Sequence, residues 1–201
     1  MTPGVKRALW FFSRVAALLV PMAAVPAVTF TLQNWGHTVS LNNPNPAIRL
    51  AAVRATGEHG QVDLLMQALQ DDDADVRLVA ATYLGQRREE AGPSSKALVA
   101  LLKDKHEGVR REAITALSAI GAPAFPALVQ ALSDPDPRVR EGALDGLGTI
   151  GRPNEVRMRS PEERASVIAA LEKLGRDNDP DIRQKARMLI RYLRRQPRDE
   201  G

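Results

Sequence analysis

The stretch DPDPRVREGALDGLGTIG, residues 134–151, is the one whose reading decides the fold. Asp136 suits a helix N-cap, and Pro137 falls at the first helical position, where the missing amide has no intrahelical partner to lose. A helix starting there places Val139, Ala143, Leu144 and Leu147 on one face and ends near Gly148 or Gly151. The preceding run PAFPALVQALSD carries a matching apolar face through Leu128, Val129 and Leu132. Two such helices form an antiparallel hairpin that cannot cover its own apolar surface, so the pattern calls for stacked copies.

Those copies are present. Arg49, Arg77, Arg110, Arg140 and Arg183 are each followed three residues later by Ala52, Ala80, Ala113, Ala143 and Ala186. Each is preceded by Ile48, Val76, Val109, Val139 or Ile182, and six residues earlier by Asn43, Asp71, Asp104, Asp134 or Asp177. The arginines are 28, 33, 30 and 43 residues apart, which describes a unit of roughly thirty residues with an insertion before the last copy. The small alanine column lets helices of neighbouring units approach closely. The end copies depart from the pattern: Thr56 stands where Leu84, Leu117 and Leu147 stand, and the last helix carries Lys185, Arg187, Arg191, Arg194 and Arg195 as a solvated face.

Composition agrees with closely packed helices. The 201 residues are 44% hydrophobic but only 4% aromatic, so the core is Leu, Val, Ile and Ala, and no cysteine is available for a disulfide, a thiolate metal site or a nucleophile. The net charge of +4 is unevenly placed. Residues 33–151 hold 12 basic and 15 acidic residues, and residues 152–201 hold 13 basic and 9 acidic ones. A nucleic-acid surface needs a basic footprint that the repeats as a whole lack, so nucleic acid is not an expected partner.

Residues 1–32 contain Lys6, Arg7 and Arg14 and then 18 uncharged residues from Val15 to Leu32. As a helix that run spans about 27 Å, near the thickness of a bilayer core. The expected organisation is a membrane segment at 1–32, a linker at 33–42, repeats at 43–195 and a polar tail at 196–201. The basic flank keeps the N-terminus cytoplasmic and puts the repeats outside, in the periplasm of a bacterium. Alternatives are a signal cleaved after Val25-Pro26-Ala27, which gives a secreted chain, and a further buried helix of the solenoid.

The pattern Asp-x-Asp-x-x-Val-Arg-x-x-Ala-x-x-x-Leu, complete in DDDADVRLVAATYL (71–84) and DPDPRVREGALDGL (134–147), resembles the HEAT repeat, in the short bacterial form named after phycobiliprotein lyases. The resemblance implies an all-α, right-handed α-solenoid of about five helical hairpins whose second helices line the concave face. It also implies that Asp71, Asp104, Asp134 and Asp177, with Arg77, Arg110, Arg140 and Arg183, form a structural ladder between units, with Asn43 a weaker substitute in the first copy.

Nothing in the chain marks catalysis. There is no glycine-rich phosphate loop and no nucleophile elbow. The dipeptides Glu58-His59 and His106-Glu107 stand at different repeat positions and in opposite order. They therefore lack the symmetric arrangement of the di-iron HEAT hydroxylases, and no metal or cofactor is expected. His106 instead takes the place of a capping aspartate. What remains is a groove, with Arg54, Thr82, Arg111, Glu112, Thr115, Glu141, Asp145, Gln184, Lys185 and Met188 pointing into it. Mixed charge and few aromatics suit an extended peptide or a protein surface. The expected function is a non-catalytic interaction scaffold held at or exported across the membrane, with an accessory lyase- or chaperone-like subunit of an enzyme complex as the alternative.

Overall fold

The computed structural model describes residues 41–150 and 161–195. The expected membrane segment, most of the linker, the basic part of the insertion with Arg152, Arg157 and Arg159, and the polar tail lie outside the described residues. Among the described residues no single helix is long and apolar enough to cross a membrane.

Among those residues every regular element is helical. The second helices of the units are α1 (Pro46–Glu58), α3 (Ala74–Gln86), α5 (Glu107–Ile120), α7 (Pro137–Ile150) and α9 (Pro180–Arg195). The first helices are α2 (Val62–Ala68), α4 (Ser95–Ala100), α6 (Phe125–Ala131) and α8 (Pro161–Leu174). Consecutive second helices pack side by side, and each first helix packs on the second helix that follows it, giving the two-layered stack of an α-solenoid.

The columns read from the sequence explain this packing. Ala80, Ala113, Ala143 and Ala186 are fully buried and Ala52 nearly so, and Val76, Val109, Val139 and Ile182 are buried beside them. The first helices contribute Leu65, Leu98, Leu128 and Leu171 to the same continuous core. Each such leucine, once removed from water, stabilises the stack by about 1.5–3 kcal/mol. Gly85 extends the small-residue rule: a Cβ there would lie 2.9 Å from the Ala116 Cα, so α3 and α5 approach almost backbone to backbone. Ile48 is the exception in its column, 44% exposed at the N-terminal end of the described stack. Thr56 is buried in the leucine position and satisfies its hydroxyl by donating to the Ala52 carbonyl at 2.8 Å.

Helix starts follow the aspartates. Asn45, Asp73, Asp136 and Asp179 accept main-chain N–H groups of Ala47, Asp75, Arg138 and Asp181 at 2.8–3.0 Å. His106 occupies the same position before α5 and makes no side-chain cap. Helix α5 ends at Gly121, whose φ of 74° is one that a side chain disfavours. The end of α1 is closed differently: the Arg87 guanidinium, from the end of α3, donates to the Gly57 carbonyl.

Candidate functional site

The most regular polar feature is the arginine column. In each case Nη1 grips two carbonyls of the loop before its own helix: Arg49 holds Asn43 and Pro44, and Arg77 holds Asp71 and Asp72. Arg110 holds Asp104 and Lys105, Arg140 holds Asp134 and Pro135, and Arg183 holds Asp177 and Asn178. With Nη1 so anchored, the Nε–Nη2 edge faces the next unit. Arg49 there meets Asp71 at 2.7 and 2.8 Å, Arg77 meets Asp104 at 2.7 and 2.9 Å, and Arg140 meets Asp177 at 2.7 and 3.0 Å. These are fork-to-fork pairs with both partners largely buried.

Each ladder carboxylate also accepts the N–H two residues on, from Asp73, His106 and Asp179 respectively. For Asp71 and Asp104 burial opposes ionisation, but the arginine fork and the turn N–H outweigh it and hold the carboxyl below the usual range. For Asp177 the Arg140 fork is the leading cause of the same depression.

Two members of the column behave differently from the expectation of a continuous ladder. Arg110 and Asp134 form no ion pair with each other, although Arg110 keeps its grip on its own loop. Asp134 instead borders a shallow hollow of about 470 Å³ with Lys96, Gln130 and Ser133. Arg183 belongs to the last unit described, so no further aspartate follows it among the described residues.

The ten expected groove residues are distributed over the five second helices. Arg54 is exposed on α1, Thr82 and Thr115 return their hydroxyls to the carbonyls of Leu78 and Arg111, and Glu112 is half-buried on α5. Arg111 pairs at 3.6 Å with Glu107 on its own helix, in solvent. Gln184 faces outward on α9.

Glu141, Asp145, Lys185 and Met188 do come together, at a cleft between α7 and α9. The Lys185 ammonium lies 2.8 Å from a Glu141 oxygen and 2.8 Å from an Asp145 oxygen. Burial works against its charge, but the hydrogen bonds to Asp145 and Glu141 raise its pKa above the ordinary lysine value. Leu144, Gly148, Thr149, Met188, Leu189 and Tyr192 complete a cavity of about 570 Å³. The Tyr192 hydroxyl is buried with no hydrogen-bond partner. Leu144, Leu189 and Tyr192 escape a reading that takes only polar groove positions, because they sit on the apolar side of their helices; an aromatic in an aromatic-poor chain was the available signal. The cleft has an apolar floor and a rim of one ammonium and two carboxylates, which suits an inserted apolar side chain. Among the described residues no group of three or more His, Asp or Glu could hold a metal ion.

Comparison with known proteins agrees with the architecture. The family model of HEAT repeats matches residues 38–95, 62–128 and 95–191. Over 94 residues the chain is 33% identical to the bilin biosynthesis protein MpeU of Synechococcus sp. (strain WH8020), covering 43% of this chain and 31% of that one. The chain thus spans about a third of the length of that curated relative. A structure of tumor overexpressed gene (TOG) domain arrays, from a study of tubulin recruitment by microtubule polymerases, superposes with a TM-score of 0.64 at 14% identity, over 77% of this chain and 38% of that one. An engineered protein superposes with a TM-score of 0.50 at 20% identity, over 87% and 85% of the two chains. At such identities the two structures speak for the fold alone.

Proposed function

Because the chain belongs to the HEAT-repeat family, we propose that it is an accessory, lyase- or chaperone-like subunit of an enzyme complex, one that holds a partner protein while the partner carries the chemistry. The observation that supports this reading is the likeness to a bilin biosynthesis protein, which turns the search for the partner toward enzymes acting on bilins. The α7–α9 cleft supports the binding role: it offers an apolar floor, and its one ammonium, on Lys185, is already taken up by Glu141 and Asp145.

The same reading makes the chain non-catalytic. The membrane segment expected in residues 1–32, and the extracytoplasmic placement of the repeats that follows from it, rest on the sequence alone; the N-terminal mass of the protein in a membrane fraction tests both.

The accessory role is tested by co-purifying the tagged chain from its host and assaying the recovered enzyme with and without it. A stoichiometric partner whose activity depends on the chain is the expected result. Turnover of a substrate by the purified chain alone overturns the proposal.

A further inference from the structure

The C-terminal end of the stack is an incomplete rung. Arg183 repeats the first half of the ladder geometry, with Nη1 donating to the carbonyls of Asp177 at 2.6 Å and Asn178 at 2.9 Å. In Arg49, Arg77 and Arg140 this grip presents the Nε–Nη2 edge to a carboxylate of the next unit. The Nε–Nη2 edge of Arg183 meets no carboxylate among the described residues.

Arg187 and Arg191 continue from Arg183 at four-residue steps, so the three guanidinium stems rise along one face of α9 at about 6 Å intervals. They line a hollow of about 570 Å³ together with Pro180, Gln184 and Met188, and among the described residues no carboxylate lines it. Met188 is 61% exposed in the middle of this cationic face. The neighbouring cations are already committed: Lys185 to Glu141 and Asp145, and Arg194 to Glu172 at 2.7 Å.

We propose that this face of α9 docks an acidic helix of a partner protein, with one carboxylate taking the open edge of Arg183, others meeting Arg187 and Arg191, and an apolar side chain covering Met188. The inference deepens the accessory-subunit reading and rests on it for the existence of a protein partner. Helix-on-helix docking fits because carboxylates four residues apart on a helix share the spacing of the arginines. A second copy stacked head to tail on the described repeats does not supply a carboxylate at the ladder position. At its N-terminal end the ladder position is Asn43, an uncharged amide whose oxygen already accepts the Asn45 N–H at 2.9 Å. A long polyanion is disfavoured because residues 33–151 of the chain carry 15 acidic against 12 basic residues.

The probe is a fluorescein-labelled, alanine-based helical peptide with glutamate at every fourth position and leucine between, titrated by anisotropy into the full chain. Saturable binding that weakens with salt is expected, falling about tenfold in the Arg183→Gln/Arg187→Gln/Arg191→Gln variant and with a glutamine version of the peptide. The variant Lys96→Gln/Lys103→Gln/Lys105→Gln, which loses the same charge elsewhere, is expected to bind like the parent. Circular dichroism confirms that both variants remain folded. No saturable binding, equal losses in the two variants, tighter binding of a single-stranded oligonucleotide, or self-association through the arginine face would each overturn the proposal. Failure of the accessory reading is seen separately, as an enzyme whose activity is indifferent to the chain.

Discussion

Replacing Arg77 by alanine is predicted to cost far more than the same change at Arg110, although the two arginines occupy equivalent positions in adjacent units. Arg77 and Asp104 are 7% and 8% exposed and joined by two bonds of 2.7 and 2.9 Å. Removing Arg77 leaves the Asp104 carboxylate buried with only the His106 N–H to answer it. Losing one partner of such a pair costs about 3 kcal/mol. Arg110 forms only the two bonds to the carbonyls of Asp104 and Lys105, at 2.8 and 3.3 Å, and strands no carboxylate when it is lost. About 1 kcal/mol is then expected. Urea unfolding followed by circular dichroism measures both, provided the m-value is unchanged. In thermal melts the Arg77 variant should fall by roughly 6–12 °C. Double-mutant cycles sharpen the comparison, with coupling of about 2 kcal/mol for Arg77 with Asp104 and near zero for Arg110 with Asp134. Equal coupling in the two cycles would refute the claim that the ladder is interrupted between the third and fourth units.

Three further outcomes follow from the same geometry. Replacing His106 by aspartate supplies the side-chain cap that α5 lacks, and should raise stability by about 0.5–1 kcal/mol in the same urea assay. Gly85→Ala forces a Cβ to within 2.9 Å of the Ala116 Cα and should destabilise by about 1–3 kcal/mol despite alanine's better helix propensity, whereas Gly148→Ala meets nothing within 4 Å and should stabilise by about 0.5–1 kcal/mol. Asp71, Asp104 and Asp177 all have depressed folded-state pKa values, so their contribution is complete above the ordinary aspartate value of about 4 and is lost as pH falls through the lower folded values. An acid titration of stability should accordingly be less steep for Asp177→Asn than for the parent, and an equal slope would contradict the assignment.

The solenoid was legible because its signals are local and repeated. The capping residues, the valine and alanine columns and the leucine that follows each depend on the register of a single helix, and five copies reinforce one another. His106 could be read as a departure from the capping rule for the same reason. The interruption between Arg110 and Asp134 could not, since both residues are present in the right columns and only the placement of successive units separates them. The α7–α9 cleft was half legible. Glu141, Asp145, Lys185 and Met188 are groove positions by helical register, but Leu144 and Tyr192 join them only because α9 lies against α7 in a way that leaves a gap. Helical register alone assigns positions to a face, and the gap between two particular helices depends on how those helices pack.

The ladder also gives the stack a chemical direction. Every rung takes its donor from one unit and its acceptor from the next, so a finite stack exposes an acceptor position at one end and a donor at the other. At the first described end the acceptor is Asn43, neutral and occupied by its own turn; at the other, the Arg183 donor edge meets no carboxylate among the described residues. Two copies meeting head to tail would bring an amide to a guanidinium that elsewhere receives a buried carboxylate, and they would forgo most of the charge-assisted gain of a rung. The asymmetry therefore discourages the open-ended chains that a heterologous self-contact would build. It makes the Arg183 face of the described repeats a better match for a carboxylate of a different protein, and an accessory subunit needs such a face, because its partner must be preferred over another copy of itself.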